Sequence, residues 1–456
     1  MSKPSSTDQP RRKTKKPVLS LLAWGVALTL ITVVAIYIAY LQANRVPNLN
    51  IPTPTLPADN AFDDFKRAGR MAESGMVHHT PSNMPGPTEK THTSANYKAA
   101  AIEFAPILAI IHRALSKPCL RPPVRAAASP STIDFTTNGD LRNLARNIQG
   151  AGRFEQLAGH PLRAADIWLD GVEMAVMSEH GGDLTDSMAA TDACNAICLS
   201  HFEELLPLLD AGALRHVAAR LEEIQRKHVG YSDIVLETGY STLAGFQETL
   251  RNPTPGKMQV FASLDTARAM IQADSDKLPS RQEAFEITKY VLTDKQRMLT
   301  QALEYYRAIS EEAKRPYTGK SQVPVPSNFF ISMYQIDTTL QSVRIHTLRD
   351  EAVQALLQTE VALYRYKAEH HAYPDQLAAL VPTYLPAVPA DPFGGKPLRY
   401  QQKSGGSGFL LYSIGNNLID DGGTPPTKSA PAQEQTGDIV TGHLYFRSKQ
   451  TATTKQ

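Results

Sequence analysis

At 456 residues the chain has room for roughly two to three domains, and a composition of 42% hydrophobic and 20% charged residues excludes a disordered or fibrous protein. The formal charge of +2 hides an uneven distribution: Lys3, Arg11, Arg12, Lys13, Lys15 and Lys16 stand against Asp8 in the first 17 residues, while the rest of the chain has 41 basic and 44 acidic residues. No broad basic surface remains of the kind nucleic acid requires, so a nucleic-acid partner is not expected.

Residues 1–17 read as a basic cytoplasmic tail and Val18–Leu41, which holds no charge, as a transmembrane helix. At about 1.5 Å per residue these 24 residues extend for roughly 36 Å, enough to cross a hydrocarbon core of about 30 Å. A cleaved signal peptide has a shorter apolar region, roughly 7 to 15 residues, with small residues at the cleavage site. "YLQANR" lacks that pattern, and apolar residues all round the helix, not on one stripe, argue against a buried helix of a soluble core. Positive charge stays on the cytoplasmic side, which puts the N-terminus inside and the bulk of the chain in the periplasm, outside the inner membrane.

Residues 42–60, with the proline-rich "NRVPNLNIPTPTLPADN", read as a stiff spacer, and 61–326 as a helical domain. A short helix is expected in "AFDDFKRAGRMAES" and a loop from His78 to Ser94. Pro106 suits the first residue of a helix. Asp140 suits the cap of one with Leu141, Leu144, Ala145 and Ile148 on its inner face. After "AGHP", Ile167, Trp168, Val172 and Ala175 form a second stripe, so the two helices should make an antiparallel hairpin. Further stripes occur at Leu214, Val217, Leu221 and Ile224, and at Leu292, Leu299, Leu303 and Tyr306. "GHPLRAADIWLDGVEMA" loosely resembles tetratricopeptide helical arrays, although no fixed repeat of about 34 residues can be laid along the chain. Acidic residues throughout this region read as solvated faces, Trp24 as an interface anchor and Trp168 as core. Cys119, Cys194 and Cys198 read as small buried hydrophobes, with one disulfide between Cys119 and either of the others as the alternative.

Gly319–Asn328 marks a boundary. Residues 327–448 read as a long helix and an α+β module, of which about Asp350 to Arg447 should fold by itself, and 449–456 as a disordered tail. One long helix is expected from Phe329 to Glu369, with Val353, Leu357, Val361 and Tyr364 on one face, stopped by Pro374. A short turn of helix in "PDQLAALV" should pack Leu377 and Leu380 back on it. Pro386, Pro389 and Pro392 set extended corners, and Gly394 and Gly395 permit the reversal into strand. "PLRYQQ", "FLLYSIG" and "DIVTGHLYF" then supply three short antiparallel strands. The fold class expected is mainly α, with this small α+β end.

"VALYRYKAEHHAYPDQLAALVPTYLPAVPADPFGGKPLRY", with "FLLYSIGNN", "DDGG" and "GDIV", resembles the globular half of the major pseudopilin of type II secretion systems. The shared elements are a helix ending near Tyr-Pro, a "YLP" corner, an Asp-Pro-aromatic-Gly segment and a "LYS" strand before an Asp/Gly loop. The likeness covers about a fifth of the chain. It departs from the family in lacking the prepilin cleavage motif and its Glu, and in placing about 300 residues between membrane helix and module. The resemblance implies a Ca²⁺ site formed by Ser413, Asn416, Asp420, Asp421 and Asp438, with the carbonyl of Leu411. Such hard oxygen donors suit calcium. Ordinary hydrogen-bonded turn chemistry is the other reading of the same residues.

His78, His79, His92, His370 and His371 lack a ligand pattern; "SEHGGD" and "HFEE" do not make the His-Glu-x-x-His spacing of a zinc site. "GYSTL" lacks the second glycine of a nucleophile elbow, and neither a Walker loop nor a dinucleotide fingerprint occurs. The function expected is therefore a membrane-anchored scaffold with protein partners in the cell envelope. The alternative is an envelope enzyme whose site is assembled from distant residues and carries no motif.

Overall fold

The computed structural model describes residues 16–43, 45–75, 94–123, 135–188, 198–199, 201–251, 293–333, 335–426 and 437–442. The chain divides into two compact units, Met1–Asn48 with Thr249–Thr300, and Leu49–Glu248 with Gln301–Gln456. Expectations for His78, His79, His92, Cys194, Leu292 and the tail 449–456 fall outside the described residues.

In the first unit, α1 (Lys16–Ala43) is one uninterrupted helix. Its Trp24–Ala43 stretch is long and apolar enough to cross a membrane, and the most apolar 18 residues of it are unburied, as fits a membrane anchor or a signal sequence alike. Thr29 and Thr32 each turn their hydroxyl back to the carbonyl four residues earlier, at 2.9 and 2.8 Å, so neither leaves a polar donor facing outward.

The second unit is mainly helical. It opens with α2 (Ala61–Gly75), α3 (Ser94–Ala114), α4 (Phe135–Leu157) and α5 (Pro161–Ser178). The expected hairpin is formed by α4 and α5: Leu141, Leu144, Ala145 and Ile148 are buried, as are Trp168, Val172 and Ala175, while Ile167 is half-buried. Trp168 donates from Nε1 to the Gln149 carbonyl (3.2 Å) and occupies the space that a side chain at position 152 would need. Two local readings are corrected. Pro106 lies inside α3, not at its start; it faces solvent, as does Ile102 one turn earlier, so the carbonyl it leaves unbonded is at the water side. Asp140 does not cap α4 but sits buried within it, where α2 crosses at Gly69; a Cβ there would lie 2.6 Å from the Cβ of Asp140. Cys119 is a free, half-buried thiol, and Cys198 is buried against Gly171.

The single turn Leu184–Asp186 is followed by α6 (Phe202–Leu205), α7 (Ala211–Lys227), α8 (Tyr231–Arg251) and α9 (Lys295–Ala313). Asp210 caps α7 by accepting from Ala213 N at 2.8 Å, and Leu214, Val217, Leu221 and Ile224 are buried. The helix expected from Phe329 to Glu369 is two helices, α10 (Phe329–Met333) and α11 (Ile336–His370), separated by Gln335 in the left-handed region (φ 48°). Neither glycine nor proline marks this break. Asn328 Oδ1 starts α10 by accepting from Phe330 N and Ile331 N. At the far end the helix stops at His370, because His371 turns left-handed (φ 64°) and donates to the Lys367 carbonyl at 2.8 Å. Pro374 comes three residues later, in the place that follows such a cap.

The sheet has order β1 (Arg399–Gln402), β2 (Phe409–Ser413), β3 (Ile439–Val440), all antiparallel. The third strand was expected to run on through "GHLYF"; its described part is these two residues. Tyr364 and Phe409 stand edge-to-face 6.5 Å apart, Tyr373 against Phe409 at 4.8 Å, so an aromatic cluster joins α11 to the sheet. Tyr400 donates its hydroxyl to the Pro374 carbonyl (2.6 Å), which fixes the proline-cornered loop over the helix. Between Ala352 and Leu363, buried residues go well beyond one stripe. The cause is that α11 packs on α7 as well as on the sheet. One hydrophobic core therefore continues from Ala61 to Ile439, across the boundary drawn at 319–328.

Candidate functional site

Two places in the second unit concentrate functional groups. The first is in the helical body. Asp170 and Glu173, one turn apart on α5, are both buried, contrary to the reading of acidic residues as solvated. Asp170 accepts from Arg220 Nη2 (2.8 Å) and pairs with His112 Nδ1 (2.9 Å). Glu173 accepts from the same Arg220 nitrogen (2.9 Å) and from Lys227 Nζ. Lys227 also reaches the Leu115 carbonyl. Asp170 thus meets the Arg220 cation of α7 and the His112 ring of α3, Glu173 meets two cations of α7, and the cluster clasps three helices together. Paired in this way, the burial of charge is tolerated.

The second place is the loop after β2, where the structure brings together most of the residues singled out in the sequence. Ser413 is fully buried, and its Oγ donates to Asp391 Oδ1 at 2.7 Å. Asp420 Oδ1 accepts from the Tyr412 hydroxyl (2.8 Å) and from Gly422 N (3.2 Å), while Oδ2 accepts from Arg399 Nε (2.9 Å). The Tyr412 hydroxyl, then Arg399, hold its carboxyl below the usual range. Asp421 Oδ2 accepts from Asn417 Nδ2 (2.9 Å). Asp438, fully buried, accepts from Gly423 N on Oδ2 (2.7 Å) and from Asp421 N on Oδ1 (3.3 Å). Burial pushes its carboxyl up and the two amides draw it back. Leu411 is placed differently: its carbonyl accepts from Thr441 N and Oγ1, at 3.1 and 3.2 Å, across to the chain leaving β3. Asn416 is half-buried on the turn. The turn needs glycine at 415, where φ is +68° and a Cβ would come within 2.6 Å of the Gly437 carbonyl.

Sequence reasoning missed Asp391 as a site residue. It is 2% exposed and carries three donors: Phe393 N (2.9 Å) and Ser413 Oγ on one oxygen, Ile414 N (2.9 Å) on the other. Burial raises its carboxyl, opposed by these hydrogen bonds. Its bond to Phe393 N is the two-residues-on turn that aspartate makes with its own backbone, so "ADPFGG" carried a readable signal. Beside Asp391 opens a pocket of about 310 Å³, with Tyr317, Phe393, Ile414 and Leu418 as its apolar lining and Lys396 and Arg399 among its charged residues.

Among the described residues no three His, Cys, Asp or Glu side chains are grouped to hold a metal ion. The carboxylates of Asp420 and Asp438 and Oδ2 of Asp421 already accept protein donors, and a calcium ion at Asp420 would compete with the Arg399 cation. Compared with protein families, with curated proteins and with solved structures, the chain finds no match.

Proposed function

We propose that this chain is a single-pass protein of the bacterial inner membrane, with its N-terminus in the cytoplasm, acting as an extracytoplasmic scaffold for envelope proteins. The pocket beside Asp391 is its recognition surface. The carrying observation is that pocket: its apolar lining suits apolar side chains of a short protein segment, and Lys396 stands ready for a carboxylate of that segment, while Arg399 is held by Asp420. The long apolar stretch of α1 behind a basic tail supports the anchor. The pseudopilin-like order of elements supports a place beside secretion machinery, and the bonds that close the loop support the turn reading of the implied calcium residues.

The test uses the full chain in cells. A photo-crosslinking residue replaces Lys396 in one variant and Arg163, whose side chain is 70% exposed, in another. The expected result is a discrete adduct from position 396 and none from 163, with a C-terminal tag digested by protease added to spheroplasts and an N-terminal tag retained. Equal labelling at the two positions overturns the recognition surface; a protected C-terminal tag or a lost N-terminal one overturns the topology.

A further inference from the structure

We infer that the pocket beside Asp391 receives the proline segment 51–57 of a second copy of this chain, with Leu56 against the apolar lining and Asp59 against Lys396. The inference rests on that pocket being a recognition surface and names its occupant.

The segment is made a ligand by its covalent chemistry. In "IPTPTLP" Pro52, Pro54 and Pro57 have φ fixed near about −65°, and Ile51, Thr53 and Leu56, each preceding a proline, are confined to extended backbone. Only Thr55 is unrestricted. Such a chain holds the polyproline conformation with little entropy left to lose on binding, and at about three residues per turn Pro54 and Pro57 share one edge. Residues 52–56 are exposed and lie in neither helix nor strand. The C-terminal end of the segment is fastened to the body: Asn60 Nδ2 donates to the Leu120 carbonyl (2.7 Å), Asn60 Oδ1 accepts from Leu120 N (3.0 Å), and Ala61 N donates to the Pro118 carbonyl (3.0 Å). The prolines are thus presented to solvent from a fixed base.

Complementarity selects this occupant. Among the described residues, the exposed large apolar side chains that lie off the helices are Leu56, Val325 and Ile419. Ile419 stands between two residues of the pocket's own lining, Leu418 and Asp420, and no acid occurs in 320–328 around Val325. Leu56 is followed by Asp59, whose side chain is 75% exposed and pairs with Lys117 through Oδ1 (2.7 Å). A surface pair of this kind is worth little, so Asp59 is open to exchange or to a second cation. On the receiving side, Tyr317 and Phe393 stand edge-to-face 5.8 Å apart and line the pocket with Ile414 and Leu418. Aromatic rings are what grooves for proline segments are lined with. Lys396 is exposed, whereas Arg399 is already held by Asp420. A volume of about 310 Å³ is at the small end of ligand sites, roughly 300–1,000 Å³, and suits a side chain or two of an extended segment. None of residues 51–59 lines the pocket of its own chain. The contact therefore joins two unlike surfaces of two copies and repeats head to tail.

The test co-expresses two full-length copies with different tags in cells. The receiver carries a photo-crosslinking residue in place of Thr318, an exposed lining position, and the donor carries none. The expected adduct joins the two tags, and mass spectrometry places it within residues 51–59 of the donor. Leu56→Asp in the donor should cut it by about tenfold or more. Asp59→Lys in the donor should lower it as well, and Lys396→Glu in the receiver should then recover it. All three side chains are exposed, so the fold is not at stake. An adduct with a different protein overturns the second copy while leaving the pocket a recognition surface; the lack of any discrete adduct overturns both. A link confined to one copy, or one that Leu56→Asp leaves unchanged, overturns the inference.

Discussion

Trp168→Ala should lower the stability of the helical body by about 3–5 kcal/mol, the range for removing a fully buried large aromatic. The side chain is wholly buried, stacks on His201 with centroids 5.2 Å apart and touches Phe202 at 5.8 Å. Its indole donor also fixes the Gln149 carbonyl. Truncation opens a cavity between α4 and α5 that the backbone cannot close, because the helices already meet at Gly152. A companion variant works in the opposite direction. Gly152→Ala would place a Cβ 2.2 Å from Trp168 Nε1, and overpacking of this kind costs about 1–3 kcal/mol. Urea unfolding followed by circular dichroism measures both. A loss below about 1 kcal/mol for Trp168→Ala would show that the hairpin does not depend on this packing.

What the sequence made legible was periodicity, and what it hid was partnership across distance. The stripes on α4, α5 and α7 were readable because a helix repeats every 3.6 residues, and nearly all the residues picked out on them are buried. Caps were less readable. Asp140 looked like one because its type favours that role, yet the helix begins earlier and α2 covers the side chain. Gln335 breaks a helix without any residue signal, since glutamine rarely adopts a positive φ. Acidic residues misled most: Asp170, Glu173 and Glu360 share a type with solvated glutamates, and only the fold shows that Arg220 and Lys227 of α7 pair with the first two while Glu360 is buried with no hydrogen-bond partner for its Oε2 among the described residues. At the loop most of the residues singled out do come together, but the groups that bind them, Arg399 at Asp420 and Asp391 at Ser413, lie some twenty residues away. Spacing along the chain carries no trace of such pairs.

Asp391→Ala should be the most damaging single change in the C-terminal module. Removing the carboxylate strands Phe393 N, Ile414 N and the Ser413 hydroxyl in a site that is 2% exposed. Each buried donor left unmade costs about 1–3 kcal/mol, so a loss of about 3 kcal/mol or more is expected, partly recovered in Asp391→Asn, which keeps one acceptor oxygen. Because the aspartate ties the reversal at Gly394 to the end of β2, the pocket beside it should be lost as well, and crosslinking from position 396 with it. Thermal melting, which also reads the loss in Asp391→Ala, decides between the two readings of the loop. If calcium bound only the folded state, a hundredfold excess over its dissociation constant would add about 2.7 kcal/mol. With Asp420 held by Arg399 and Tyr412, and Asp438 by two amides, the parent should instead melt alike in chelator, millimolar calcium and millimolar magnesium. A calcium-specific rise that disappears in Asp438→Ala would mean that Arg399 gives way to the ion and that the implied ligand set is the correct one.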